Sequence, residues 1–297
     1  MLPIFRNVLF FLMLGCVVLV AACAHAPYTD RRQLMLTSEG SETSMGYQAF
    51  GQIKHQYKVS QDPAINAEVQ RVGQRIAAAA QRPDYRWEFV VFDGKEANAF
   101  CLPGGKVGIF TGILKYTKDE AGLATVISHE VGHALARHAG ERMSQGMLAQ
   151  VGGIGLGAAL GGMSPIAGQA VMTGFGLGTQ YGILLPYSRK QEYEADHIGL
   201  ILMAKAGYDP AQALEFWKRM MTKDKKVNMP QFMSTHPNDA SRLHELEAFL
   251  PEARRYYVPV QAAETPPPPR RLSGHEAASP PAIKSAPEAG RWVPESR

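Results

Sequence analysis

The sequence predicts an α+β fold, mostly helical, with a small sheet beside one central helix. Three observations carry that prediction. Apolar residues recur at spacings of three and four in several segments, most clearly Ile65, Val69, Val72 and Ile76 within Pro63 to Ala80. Between Arg86 and Tyr116 the period changes to that of short strands broken by Gly, Pro, Asn and Asp. Between these regions and the next helical pattern, Thr117 to Gly140 carries two histidines four residues apart.

That last stretch organises the rest. Thr117 followed by Glu120 has the form of a capping box, which predicts a helix starting near Lys118. On it His129 and His133 project from one face, close enough for both imidazoles to hold one metal ion. Glu130 sits beside them, placed to reach a water on that metal rather than the metal itself. His-Glu-x-x-His on a helix is the pattern of zinc metallopeptidases.

At 297 residues the chain is long enough for one large or two small domains. Its net charge is only +4 and its lysines and arginines form no cluster beyond a solvated face, which argues against nucleic acid as a partner. Cys16, Cys23 and Cys101 give no basis for a disulfide framework.

Residues 1–22 read as a lipoprotein signal peptide. Arg6 supplies the positive start, Val8 to Val20 is apolar apart from Gly15, and small residues precede Cys23. The apolar run is short for a membrane span, which needs roughly 20 residues. Val20-Ala21-Ala22-Cys23 resembles a bacterial lipobox, which implies cleavage before Cys23 and lipidation of that residue. Acyl chains contribute about 0.8 kcal/mol per buried methylene, so a multiply acylated Cys23 would hold the protein to a membrane. Ala24, rather than Asp, follows; by resemblance to lipoprotein sorting in Gram-negative bacteria, this favours the outer membrane, facing the periplasm. Residues 23–44 are polar and turn-rich and are expected to form a tether.

The folded domain is expected over residues 45–258. Met45 to Ala80 has a helical pattern that packs as core support. Trp87 to Phe92 reads as a strand, and Asn98 to Gly105 as a loop leading into Lys106 to Phe110. Asn98, Ala99 and Phe100 are candidates for an edge that pairs with an extended substrate backbone, with a plain sheet turn as the alternative. Gly146 to Pro186 contains twelve glycines and no charged side chain. A lid over the site or a surface dipping into the bilayer are its functional options, and a buried helical hairpin is favoured over both. Helices are predicted over Ser188 to Ala206, Ala211 to Met221 and Arg242 to Leu250. Residues 259–297 carry nine prolines and few apolar side chains, and are expected to be a disordered tail.

A catalytic zinc takes three protein ligands and keeps a position for water. The best candidate for the third is Glu192, in Glu192-Tyr193-Glu194-Ala195-Asp196. Asp196 shares its helical face and can accept a hydrogen bond from a liganding imidazole. Glu194 points away from that face and is expected to be exposed. His197 is offset by about 100° from Asp196 and is not expected to join. His138 and His244 have weaker claims; His138 is off the metal face and is expected to be structural.

The runs HEVGHALARH at 129–138, SRKQEYEAD at 188–196, AGYDP at 206–210 and STHPNDASR at 234–242 resemble the M48 zinc metallopeptidases, in the family order. That family includes CAAX prenyl endopeptidases, HtpX membrane proteases and BepA-type quality-control proteases. Only the N-terminal segment here is convincingly hydrophobic, which sets the chain apart from the integral-membrane branches. The resemblance implies a gluzincin-type fold, one Zn2+ per subunit and Glu192 as third ligand. It also implies His236 near the metal, as an additional resting-state ligand or a donor in the transition state, with Arg242 nearby. The function expected is a zinc metalloendopeptidase of the bacterial cell envelope, acting on unfolded or misassembled proteins and working beside the outer-membrane assembly machinery. The alternative is a zinc-dependent chaperone-like or scaffold lipoprotein.

Overall fold

The computed structural model describes residues 23–26, 29–159, 188–222, 231–236 and 240–259, all within the compact unit Met1–Val260. The expected signal peptide, most of the glycine-rich segment and the proline-rich tail lie outside the described residues. No helix among the described residues is long and apolar enough to cross a membrane.

The stretch expected as a tether is instead folded onto the domain. Strands β1 (Cys23–His25) and β2 (Arg32–Leu34) pair antiparallel, and helix α1 begins at Glu39 and runs to Gln56. Ala26 is buried, and Leu36 N donates to Ser144 Oγ at 2.8 Å. Polar composition marked this stretch as solvated, but Arg31 donates to Glu141 and Glu194 of the helices it covers.

Helix α2 (Pro63–Ala80) starts where Asp62 accepts from the amides of Ala64 and Ile65, with Pro63 in the first turn where its missing N–H costs nothing. Its buried stripe includes Val69, Val72 and Ile76, as the spacing predicts. It leans on a three-stranded sheet of β3 (Glu88–Phe92), β5 (Lys106–Phe110) and β4 (Ala99–Leu102), in that order. β3 and β5 run parallel, while β4 returns antiparallel on the far side of β5. Gln70 Nε2 donates to Phe89 O at 2.7 Å and ties α2 to β3.

A short helix, α3 (Thr111–Thr117), leads into α4 (Glu120–Leu135). The predicted capping box at Thr117 is not the one used. Thr117 Oγ1 donates back to Leu114 O, Lys118 turns at φ 66°, and Asp119 caps α4 by accepting from Gly122 N at 2.9 Å. Every residue of α4 from Gly122 to Leu135 is buried, which makes it the central helix rather than an amphipathic one. It ends before Gly140, because Arg137 sits at φ 55° and redirects the chain into α5 (His138–Ala159). That left-handed turn is held by the buried Glu42 of α1, which accepts from Arg137 Nη2 at 2.6 Å and from its Nε at 3.1 Å.

Helix α6 (Arg189–Lys205) opens on a capping box between Ser188 and Gln191 and packs along α4. The two helices approach closely at glycines. A Cβ on Gly132 would lie 2.8 Å from the backbone oxygen of Ala195, and one on Gly199 3.2 Å from the amide of His129. Gly132→Ala is therefore expected to lower unfolding stability by about 1–3 kcal/mol, read from urea denaturation, because the backbones must part to admit a methyl group. Helix α7 (Ala211–Thr222) buries Leu214, Phe216 and Trp217, and short α8 (Gln231–Thr235) and α9 (Ala240–Arg254) complete the described chain. α9 runs past Leu250 through Pro251, further than predicted.

Candidate metal centre

The turn at Arg137 and the close α4–α6 approach bring separated parts of the sequence to one buried point. Among the described residues, His129, His133, Glu192 and His236 each offer one ligand atom, and these atoms lie within 4.8 Å of one another. Nε2 of His129 and Nε2 of His133 are 3.1 Å apart. Glu192 Oε1 lies 3.4 Å from His133 Nε2, and its Oε2 lies 3.5 Å from His129 Nε2. His236, just beyond α8, places Nδ1 3.2 Å from both His129 Nε2 and Glu192 Oε1. Its Nε2 lies 3.2 Å from Glu130 Oε1.

The chemistry of this donor set fits a cation. His129 Nδ1 faces Asp196 Oδ1 at 3.0 Å, and an ionised carboxylate only accepts, so the proton sits on Nδ1 and Nε2 presents a lone pair. Two imidazole nitrogens and a carboxylate oxygen converging at a buried point is costly unless a positive charge lies among them. The set of nitrogen and oxygen donors suits zinc and its neighbours in the first transition row.

Asp196 is in turn gripped by Arg242, whose Nε and Nη2 donate to its two oxygens at 2.8 and 2.7 Å. Arg242 is buried, lies 4.1 Å from the Trp217 ring, and places Nη1 2.8 Å from Glu192 Oε2. Burial raises the carboxyls of Glu192 and Asp196, but His236 and Arg242 hold Glu192 well below the usual range, and Arg242 with His129 holds Asp196 below it. Burial lowers His129, but the carboxylates of Asp196 and Glu192 outweigh it and raise it; burial dominates at His133 and keeps it well below. Glu130, buried with less compensation, is pushed up to about 7.

Asn98, Ala99 and Phe100 are all buried at the start of the edge strand β4, which packs against α4. Beside them Phe232 N donates to Ala97 O at 2.8 Å, so α8 lies against the same edge. His197 stacks on the Phe249 ring at 4.0 Å, and His244 is exposed. Glu194 is the misplaced residue. Its side faces away from Glu192, as helix geometry requires, yet it is buried because His138 of α5 and Thr29 and Arg31, just before β2, cover that side of α6. Arg31 and Glu141, which meet there, carry no sequence signal that marks them for this region. The only hint is that His138 follows His133 closely, while Glu194 follows Glu192.

The sequence profile of peptidase family M48 matches residues 63–250. The chain is 36% identical over 234 residues to the mitochondrial metalloendopeptidase OMA1 of Schizosaccharomyces pombe, covering 77% of this chain and 67% of that protein. It is 30% identical over 251 residues to the mitochondrial metalloendopeptidase OMA1 of Saccharomyces cerevisiae, covering 78% and 70%. It is 28% identical over 249 residues to the beta-barrel assembly-enhancing protease of Escherichia coli, covering 80% of this chain and 51% of that protein.

Proposed function

The chain belongs to peptidase family M48 and is a metal-dependent endopeptidase, and on that premise we propose that it is a zinc enzyme of the bacterial envelope that cleaves misfolded or unassembled outer-membrane proteins. The observation that carries the metal assignment is the convergence of lone pairs from His129, His133 and Glu192 on one buried point with Glu130 alongside. These three residues would hold the ion, and His236 is near enough to join them at rest. When bound, the cation supplies Lewis acidity that acidifies water and polarises a peptide carbonyl.

The protein's own groups do the rest. Glu130 takes a proton from the attacking water and passes it to the leaving amine; a carboxyl raised toward neutrality is matched to both transfers. His236, with Nε2 beside Glu130, donates to the oxyanion as it develops. Asp196 orients His129, and Arg242 fixes Asp196 and Glu192 together. Asn98, Ala99 and Phe100 line the edge along which an extended substrate adds as a further strand. Asp196→Asn is expected to weaken zinc binding about 10- to 100-fold, read by chelator competition, because the His129 tautomer is no longer fixed by a charge.

The cellular assignment rests on Cys23 after Ala21-Ala22 and on the likeness to the beta-barrel assembly-enhancing protease. Residues 1–22 are then a leader and Cys23 carries the lipid. Mass spectrometry of the protein expressed in a Gram-negative host is expected to find Cys23 acylated, and the purified protein to cut an unfolded β-barrel protein faster than the same protein folded. An unmodified Cys23 with the leader retained would count against the anchor, and equal cleavage of both substrates against the quality-control role.

A further inference from the structure

Each imidazole of the α4 pair has its second nitrogen tied to a carboxylate, but by different routes. For His129 the carboxylate is Asp196, in direct contact. For His133 the route runs through another histidine. His138 is fully buried, and its Nδ1 lies 2.8 Å from Nδ1 of His133. Its Nε2 lies 2.8 Å from Glu194 Oε2. A carboxylate only accepts, so His138 carries its proton on Nε2, and its Nδ1 is left as an acceptor. Two unprotonated nitrogens at that distance would repel, so His133 donates from Nδ1 and keeps a lone pair on Nε2. That lone pair is the one that meets His129 and Glu192.

The far end of the route is fixed as well. Arg31 Nε donates to Glu194 Oε2 at 2.7 Å, and the Thr29 hydroxyl donates to its other oxygen. The remaining Arg31 nitrogens donate to Glu141 at 2.8 Å each, and Glu141 also accepts from Gln191 Nε2. A buried carboxylate is costly unless its lone pairs are satisfied. Three donors converge on Glu194, so its orientation toward His138 is over-determined rather than incidental.

Resting on the metallopeptidase reading of the site, we infer that His138 and Glu194 are positioning residues for the cation, fixing the tautomer and ring orientation of His133 from a point anchored by Arg31. Neither touches the substrate or stands among the converging ligand atoms. Both act through His133, as partners of a liganding imidazole characteristically do.

The test uses the full chain as wild type, His138→Leu and Glu194→Gln. Zinc dissociation constants are measured by competition with a chromophoric chelator, visible spectra are recorded after loading with Co(II), and thermal unfolding of the metal-free forms is followed alongside. Both substitutions are expected to weaken zinc binding about 10- to 100-fold and to shift the Co(II) bands, because His133 is free to change tautomer or rotate. Unchanged zinc affinity and unchanged Co(II) spectra in the variants would overturn the inference, whatever happens to thermal stability, since a purely structural role moves only the latter. If His138→Leu does not fold, the isosteric Glu194→Gln decides alone. A wild-type protein that binds neither metal overturns the metal site itself, and so separates that failure from the failure of the relay.

Discussion

Glu130→Gln is expected to lower kcat/KM for an unfolded protein substrate by about 10²- to 10⁴-fold while leaving the metal content unchanged. Glutamine keeps the shape of a side chain that is 3% exposed, so packing is preserved and only the ability to accept a proton is lost. The pH profile carries the same signature. A general base works as its anion, so the rate falls as pH drops through the carboxyl's pKa. Burial pushes Glu130 up to about 7, with Glu192 adding to the rise and His236 and Arg242 opposing it. A bound dication opposes it further, so the acid limb falls at or below pH 7, and the residual activity of Glu130→Gln should lack that limb.

Glu192→Gln has a different signature. It removes a ligand rather than a base, so metal content and activity fall together. Loss of an outer partner of a ligand costs about 10- to 100-fold in affinity, and loss of the ligand itself exceeds that range. The substitution also leaves the buried Arg242 facing Asp196 without the second carboxylate 2.8 Å from its Nη1. Removing one partner of a buried ion pair typically destabilises by about 3–5 kcal/mol. The variant should therefore unfold earlier in urea as well as lose metal, whereas Glu130→Gln should do neither.

Local spacing was enough to find the pair on α4 and the carboxylates on α6. The i and i+4 relation puts His129 beside His133, and Glu192 beside Asp196, whatever the tertiary context. Strand β5 also stands where alternation and its flanking turns place it, from Lys106 to Phe110. What spacing could not supply was which outward faces are later covered. Helix geometry turns Glu194 away from Glu192, but exposure depends on whether another element packs there, and Arg31 arrives from a stretch whose composition suggested solvent. The start of α4 failed for a similar reason. Thr117 and Glu120 have the right spacing for a capping box, yet Thr117 closes α3 and the turn at Lys118 hands the cap to Asp119. Competing local hydrogen bonds of comparable strength decide such boundaries.

The metal centre is tested most directly by elemental analysis of the purified full chain together with its cleavage of a denatured β-barrel protein, before and after a chelator. One zinc per chain is expected, with cleavage abolished by the chelator and regained on adding zinc. Undiminished cleavage by protein shown to be free of metal would contradict the assignment of His129, His133 and Glu192 as the catalytic ligands.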